Sequence, residues 1–167
     1  MTMVKEPIYF QSKEYAEYRF LSNFQLSPIE MECPWWTHDG EVHVFASVEH
    51  YYQACKAALE EDYFKIKYAA TPLEAKQLGS KVQMNGMWEH YSHGRFMHKE
   101  CVMLDGLYAK FEQHADLREK LLATGNRPLY EYAPWGDTYW GVDKEFNGRN
   151  MLGVMLMQVR AVLGGRK

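Results

Sequence analysis

The chain predicts an α+β fold: a single compact, mainly helical domain with a small sheet, spanning residues 1–167. Apolar residues recur at three- and four-residue spacing through much of the chain, the signature of amphipathic helices. Strand-like stretches are few, short and not in regular alternation with helices, which argues against a doubly wound parallel sheet. The length suits one domain and leaves no room for two ordinary ones. With 12 Tyr, 8 Phe and 5 Trp, 15% of the chain, and 10 Met beside them, the sequence fills a substantial core and still has rings to line a pocket. It contains no internal repeat, low-complexity tract or flexible linker.

The elements follow in order. Residues 7–10 form the first strand candidate, and residues 41–46, alternating around Val42 and Val44, the second. Ser47 is placed to cap a helix whose apolar positions are Val48, Tyr51, Tyr52, Cys55 and Leu59. Glu49, Gln53 and Lys56 then share a different face, spaced by four and by three. Thr71-Pro72-Leu73-Glu74 is a capping box with proline at the first helical position, and its helix ends near Gly79. A longer helix runs from about Gly94 to His114, with Phe96, Met103, Leu104, Leu107, Tyr108 and Phe111 on its apolar side. Residues 116–123 form a short amphipathic helix closed by Gly125. Residues 129–132 predict a strand, residues 139–142 a weaker one. The last helix begins near Asn150 and buries Leu152, Met155, Leu156, Val159 and Leu163.

Nineteen Lys and Arg against 22 Asp and Glu give a net charge of −3, without the basic surplus of a protein that coats nucleic acid. The three cysteines, Cys33, Cys55 and Cys101, are an odd set, which points to reduced thiols and a cytoplasmic setting. Cys55 and Cys101 fall inside helices as inert buried thiols, and Cys33, beside Pro34, lies in a loop. The first ten residues lack the apolar stretch of a signal peptide, and no apolar run is long enough to span a membrane. His90, His93 and His98, with Glu89 and Glu100, match neither a zincin helix nor a zinc finger, so no metal is expected. Walker A and G-x-G-x-x-G sequences are missing, and no cofactor is expected.

Two segments carry chemistry. Gly148-Arg149-Asn150 opens the last helix, where free N–H groups and the positive dipole end suit an anion; Asn150 equally serves as a plain N-cap. The stretch from Glu131 to Asp143 holds two Trp, two Tyr and three carboxylates around Pro134, Gly136 and Gly141. Such a loop is able to hold a flat heterocycle and an attacking water, or to pack its rings along a strand edge.

Several ordered segments then match one pattern: Arg19-Phe20-Leu21-Ser22-Asn23-Phe24, Val48-Glu49-His50-Tyr51-Tyr52-Gln53, Thr71-Pro72-Leu73-Glu74-Ala75-Lys76 and Trp88. Lys110-Phe111, residues 121–125, Tyr139-Trp140-Gly141, Asn150-Met151-Leu152-Gly153 and Leu156-Met157 complete it. From about residue 20 to 163 the chain resembles the NADAR family, in particular its YbiA-like branch of riboflavin biosynthesis intermediates N-glycosidases. The resemblance implies hydrolysis of the N-glycosidic bond of a phosphoribosylamino-pyrimidine, releasing ribose 5-phosphate. Other members act on ADP-ribose, including its removal from guanine bases in nucleic acid, and a non-catalytic ADP-ribose or nucleotide-sugar binding module is the third possibility. The implied partner is a small phosphoribosylated or ADP-ribosylated molecule, with nucleic acid only under the second reading and no membrane.

Residue by residue, Glu49 matches the Glu of the family's E-H-Y-x-Q motif and is the first candidate to stabilise an oxocarbenium-like ribose or activate water. Asp137 is the second. Trp140, with Tyr139 and Trp88, is a candidate to stack on the heterocycle. Arg19 suits the phosphate through its fork of donors, or clamps a carboxylate. Asn23 and Asn150 suit ribose hydroxyls or base edges, Lys56 phosphate or open-chain sugar, and Gly141 belongs to the Tyr-Trp-Gly turn. Residues 33–41 and the insertion Val142-Asp143-Lys144-Glu145 depart from the family pattern.

Overall fold

The computed structural model describes residues 6–32, 40–92 and 96–165, without the side chains of Ser92 and Phe96. Among these are seven helices, one of them 3-10, and six short strands, an α+β composition as the sequence predicts. Contacts divide the chain into two compact units, Leu26–Gln113 and the two chain ends, Met1–Gln25 with His114–Lys167. No helix among the described residues is long and apolar enough to cross a membrane.

The unit Leu26–Gln113 is organised around α1 (Val48–Lys56), in which every residue from Val48 to Cys55 is buried. Ser47 caps it by accepting from the His50 N–H at 3.3 Å. Three helices, α2 (Glu60–Lys67), α3 (Pro72–Gly79) and α4 (His98–Gln113), pack around it. Two glycines allow the close approach. A Cβ on Gly106 of α4 would lie 2.9 Å from the Tyr51 ring, and one on Gly79 of α3 would collide with the Gln53 side chain. Thr71 caps α3 by accepting from the Glu74 N–H at 3.1 Å, and the Glu74 carboxylate accepts from the N–H of Ala70, one residue before the cap, a variant of the capping box the sequence predicts.

Several boundaries differ from expectation. Helix α1 stops at Lys56 because Ala57 turns extended and bridges Met84, and Leu59 is exposed rather than core. The unforeseen α2 buries only Tyr63 and Ile66, too narrow a stripe to show in the sequence, though its acidic first turn and basic last turn complement the helix dipole. Helix α4 begins at His98 rather than Gly94, because Phe96 belongs to β5 (Phe96–Met97), paired antiparallel with β4 (Tyr91–Ser92). Strand β3 (Val42–Phe45) pairs with an unforeseen β2 (Ile29–Glu32), and its buried face is His43 and Phe45, while Val42 and Val44 are 55% and 53% exposed. Cys33, most of the unusual 33–41 segment, His93 and Gly94 lie outside the described residues.

In the unit of the chain ends, β1 (Ile8–Phe10) runs parallel to β6 (Leu129–Glu131). A 3-10 helix (Lys13–Leu21) follows β1; its single buried pair, Phe20 and Leu21, left no periodic signal. Helices α5 (Ala115–Ala123) and α6 (Met151–Gly165) pack together, and α6 buries all five apolar residues expected of it. Tyr139 to Trp140 is a turn rather than a strand, and only Val142 makes an isolated bridge, to Tyr132.

Lys110 of α4 is fully buried, its ammonium 5.1 Å from the centre of the Phe111 ring, and burial pushes its pKa down to about 7. Unfolded, it keeps its proton up to the ordinary 10.5; between the two values the unfolded chain binds the extra proton. Stability therefore rises with pH across that window and falls as pH drops toward the folded value. Lys110→Met should flatten this rise in urea denaturation measured between about pH 7 and pH 10. An unchanged slope would place the titration on another group.

Candidate active site

Helix α1 brings Glu49, Gln53 and Lys56 to one side, as their spacing predicts. Glu49 sits in the first turn, where the helix dipole favours a negative charge, and is 6% exposed. The Gln53 amide donates to Glu49 Oε1 at 2.9 Å. Its other end lies against Gly79, and Gln53 Oε1 is buried without a hydrogen-bond partner among the described residues. A carboxylate accepts only, so the amide must turn its nitrogen toward Glu49 and its oxygen toward α3.

Lys56, one turn and more along, is half-buried. Burial lowers its pKa, the charges of Glu49 and Glu89 raise it, and Lys99 lowers it again. The end of the helix is tied by Asn85, whose side chain donates to the carbonyls of Cys55 at 2.8 Å and Lys56 at 3.3 Å. Lys99 pairs with Glu89 at 3.2 Å. Trp88 is 3% exposed, packed against Tyr52 at 4.9 Å and His98 at 6.0 Å between ring centroids. This corrects its reading as a stacking platform: its ring is already covered by protein. His50, also in the motif, is wholly structural. Its Nε2 donates to the Ala69 carbonyl at 3.1 Å, so Nδ1 accepts the Ser47 hydroxyl at 2.8 Å, and burial lowers its pKa.

In the other unit, the residues of the Tyr-Trp-Gly turn form one hydrogen-bonded frame. Asp137 Oδ1 accepts from the N–H groups of Tyr139 at 3.2 Å and Trp140 at 3.0 Å, a turn-building duty for the second candidate carboxylate. Gly141 packs on β6, where a Cβ would lie 2.5 Å from the Glu131 carbonyl oxygen. The start of α6 is capped by this turn: the N–H groups of Asn150, Met151 and Leu152 donate to the carbonyls of Gly141, Tyr139 and Trp140. The anion site expected at this helix start is thus filled by backbone carbonyls. Asn150, in the left-handed region at φ 51°, accepts from the Glu131 N–H at 3.0 Å and donates to the Leu129 carbonyl at 2.8 Å. Its amide serves the backbone of β6, correcting the expectation of a ribose or base contact. The frame holds Tyr139 and Trp140 half-buried and edge to face at 5.1 Å, with the Arg149 guanidinium 4.8 Å from the centre of the Tyr139 ring.

Arg19 is exposed at the end of the 3-10 helix and makes no ion pair among the described residues. It borders a cavity of about 310 Å³ together with Gln11, Ser22, Phe24 and Gln25, and Asn23 beside them is buried. Gln11 and the packing role of Gly79 escaped the sequence reading: a side chain in left-handed backbone and a glycine fitted to its neighbour's amide leave no periodic trace. The Glu49–Gln53 bond was within reach, since residues four apart on a helix face meet.

A family model, the NADAR domain, matches residues 9–164, and the chain belongs to that family. It is 34% identical over 161 residues to the N-glycosidase YbiA of Escherichia coli K12, covering 95% of this chain and 88% of that protein. An N-glycosidase of Nostoc punctiforme is 37% identical over 158 residues, 92% of this chain and 90% of that protein. The riboflavin biosynthesis protein PYRR of Zea mays is 33% identical over 150 residues, 86% of this chain but 23% of that protein. The NMR structure of the E. coli protein YbiA matches with a TM-score of 0.76 at 35% identity, over 97% of this chain and 87% of that one. The chain is accordingly an enzyme, a hydrolase acting on N-glycosyl compounds.

Gly79→Ala would drive a methyl group into the Gln53 amide. It should destabilise the protein by about 1–3 kcal/mol in urea unfolding, as overpacking does. A loss well below that would show that Gln53 moves aside freely, and the positional argument for Gly79 would fail.

Proposed function

We propose that this enzyme hydrolyses the N-glycosidic bond of phosphoribosylamino-pyrimidine intermediates of riboflavin biosynthesis, releasing ribose 5-phosphate. The observation that carries the chemistry is the buried Glu49 carboxylate, held by Gln53 in the first turn of α1. As the C–N bond breaks, its electron pair leaves with the pyrimidine nitrogen and positive charge builds on the ribose. A fixed carboxylate in a low-dielectric setting stabilises that charge and takes a proton from the water that adds to the anomeric carbon. Lys56, its pKa lowered chiefly by burial, lies within the electrostatic reach of Glu49 and is our candidate to return a proton or hold an opened sugar.

The substrate class is supported by the match to a riboflavin biosynthesis protein of a plant, and by the net charge of −3, which suits a small molecule better than a nucleic acid. We also read residues 1–167 as a single domain, since the family match runs through both units. The odd number of cysteines, three, supports a reducing, cytoplasmic setting.

The test is to incubate the protein separately with phosphoribosylamino-pyrimidine and with ADP-ribosylated guanine DNA, following products by mass spectrometry. Ribose 5-phosphate from the first alone is the expected result; ADP-ribose from the second alone would replace this reading with the nucleic-acid one. Glu49→Gln should lower kcat by about 10²-fold or more, the scale of general acid–base contributions. Gln53→Leu removes the donor that positions the Glu49 carboxylate, so kcat should fall while KM changes little. A Gln53→Leu enzyme with wild-type kcat would make Gln53 a packing residue only.

A further inference from the structure

We propose that Lys99, held by Glu89, is a positioning residue for Lys56, setting the charge that this lysine meets at the end of α1. The inference rests on the function above for what Lys56 does in turnover; the arrangement of the charges comes from the fold itself.

One turn, residues 85–89, joins the end of α1 to the start of α4. Asn85, 7% exposed, is the knot of that turn. Its backbone N–H donates to the Lys56 carbonyl at 2.9 Å, and its side chain donates to the carbonyls of Cys55 and Lys56. Its side-chain oxygen accepts from the Met87 N–H at 3.1 Å, and its carbonyl accepts from the Trp88 N–H at 3.1 Å. The Trp88 carbonyl then accepts from the Lys99 N–H at 3.1 Å. The last carbonyls of a helix and its first N–H groups have no partner within the helix. Meeting both needs on one short turn ties the backbones of two lysines together. Glu89, the next residue of the turn, supplies the carboxylate that pairs with Lys99 at 3.2 Å.

Two features set Lys99 apart from a lysine placed for stability. It is the second residue of α4, at the helix end whose dipole disfavours a cation. Its side chain is 15% exposed and that of Glu89 63%, so a mostly buried ammonium is matched by a carboxylate standing largely in water. Such a pair offsets the desolvation of the ammonium poorly. What the placement does achieve is a second positive charge near Lys56, and a like charge disfavours protonation. Among the described residues, three charged groups act on Lys56: Glu49 from its own helix, Glu89 from the turn and Lys99 from α4. The two carboxylates favour the ammonium and Lys99 opposes it. A lysine that returns a proton works best when it releases one near the working pH. Lys99 pushes Lys56 in that direction, and Glu89 limits the push.

The test labels the full-length protein with acetic anhydride at a series of pH values and reads acetylation of Lys56 by peptide mass spectrometry. Only the neutral amine reacts, so the midpoint of labelling against pH reports the protonation of Lys56. Lys99→Met removes a positive charge, and the midpoint should move to higher pH. Lys99→Arg keeps the charge and should stay near wild type. Glu89→Gln, at a largely exposed position, should move the midpoint to lower pH, and it decides alone if Lys99→Met does not fold. Opposite shifts are a result that loosened packing does not give. Midpoints that stay at the wild-type value, or that move the same way in both variants, overturn the proposal. On the phosphoribosylamino-pyrimidine, the pH profile of kcat should follow the labelling in each variant. Shifted labelling with an unshifted kcat profile overturns the positioning role in turnover. Opposite labelling shifts in a protein whose wild type hydrolyses nothing sink the function and leave the charge arrangement. Hydrolysis by wild type with unmoved midpoints in the variants sinks the arrangement and leaves the function.

Discussion

Burying a helix on every side obliges each of its polar side chains to find a partner inside the protein, because water is no longer there to serve them. Helix α1 carries Glu49, His50 and Gln53 in that position. His50 is satisfied between the Ser47 hydroxyl and the Ala69 carbonyl, which also fixes the angle at which the chain enters the helix. The Gln53 amide donates to Glu49, and the neighbouring helix yields a side chain at Gly79 to make room. The motif Glu49-His50-Tyr51-Tyr52-Gln53 is therefore held largely by its own hydrogen bonds and those of its neighbours. Its Tyr51 fills the core against Gly106, and its carboxylate is the charge left in a dry place.

The same accounting explains the unit of the chain ends. The first N–H groups of α6 need acceptors, and the Tyr139-Trp140-Gly141 turn supplies them; the turn needs donors and acceptors of its own, and Asp137 with Asn150 supplies those. Gly141 and Gly148 lie where no side chain fits. A run of aromatic and acidic residues that reads as a binding loop thus proves to be mostly scaffold, holding two rings in place.

The caps were legible in the sequence because capping residues act on their immediate neighbours: Ser47, Thr71 and Glu74 do what their spacing says. The apolar stripe of α6 was legible for the same reason, since all five of its expected residues face one core. Where long-range packing decides, the sequence was silent. Val42 and Val44 have the stronger β-branched pattern, yet His43 is the inward residue because it meets the Tyr63 hydroxyl at 2.8 Å. Trp88 and Asn150 carry motif positions but are turned to structural use by partners far away in the chain. The family resemblance named Glu49, Trp88 and Asn150 alike as site residues; their different burial and hydrogen-bond partners, set by other segments, are not written in the motifs.

The parallel pairing of β1 with β6 also orders events in time. Gln11 and Glu131 are 120 positions apart, so the strand containing Ile8 has no partner until most of the chain exists. Leu26–Gln113, by contrast, is contiguous and closes on contacts between successive helices. On a ribosome the Glu49 helix is thus the first to have all its packing partners available, while the amino-terminal segment waits unpaired. The bond from Gln11 to Glu131 therefore closes only after Leu26–Gln113 has been made.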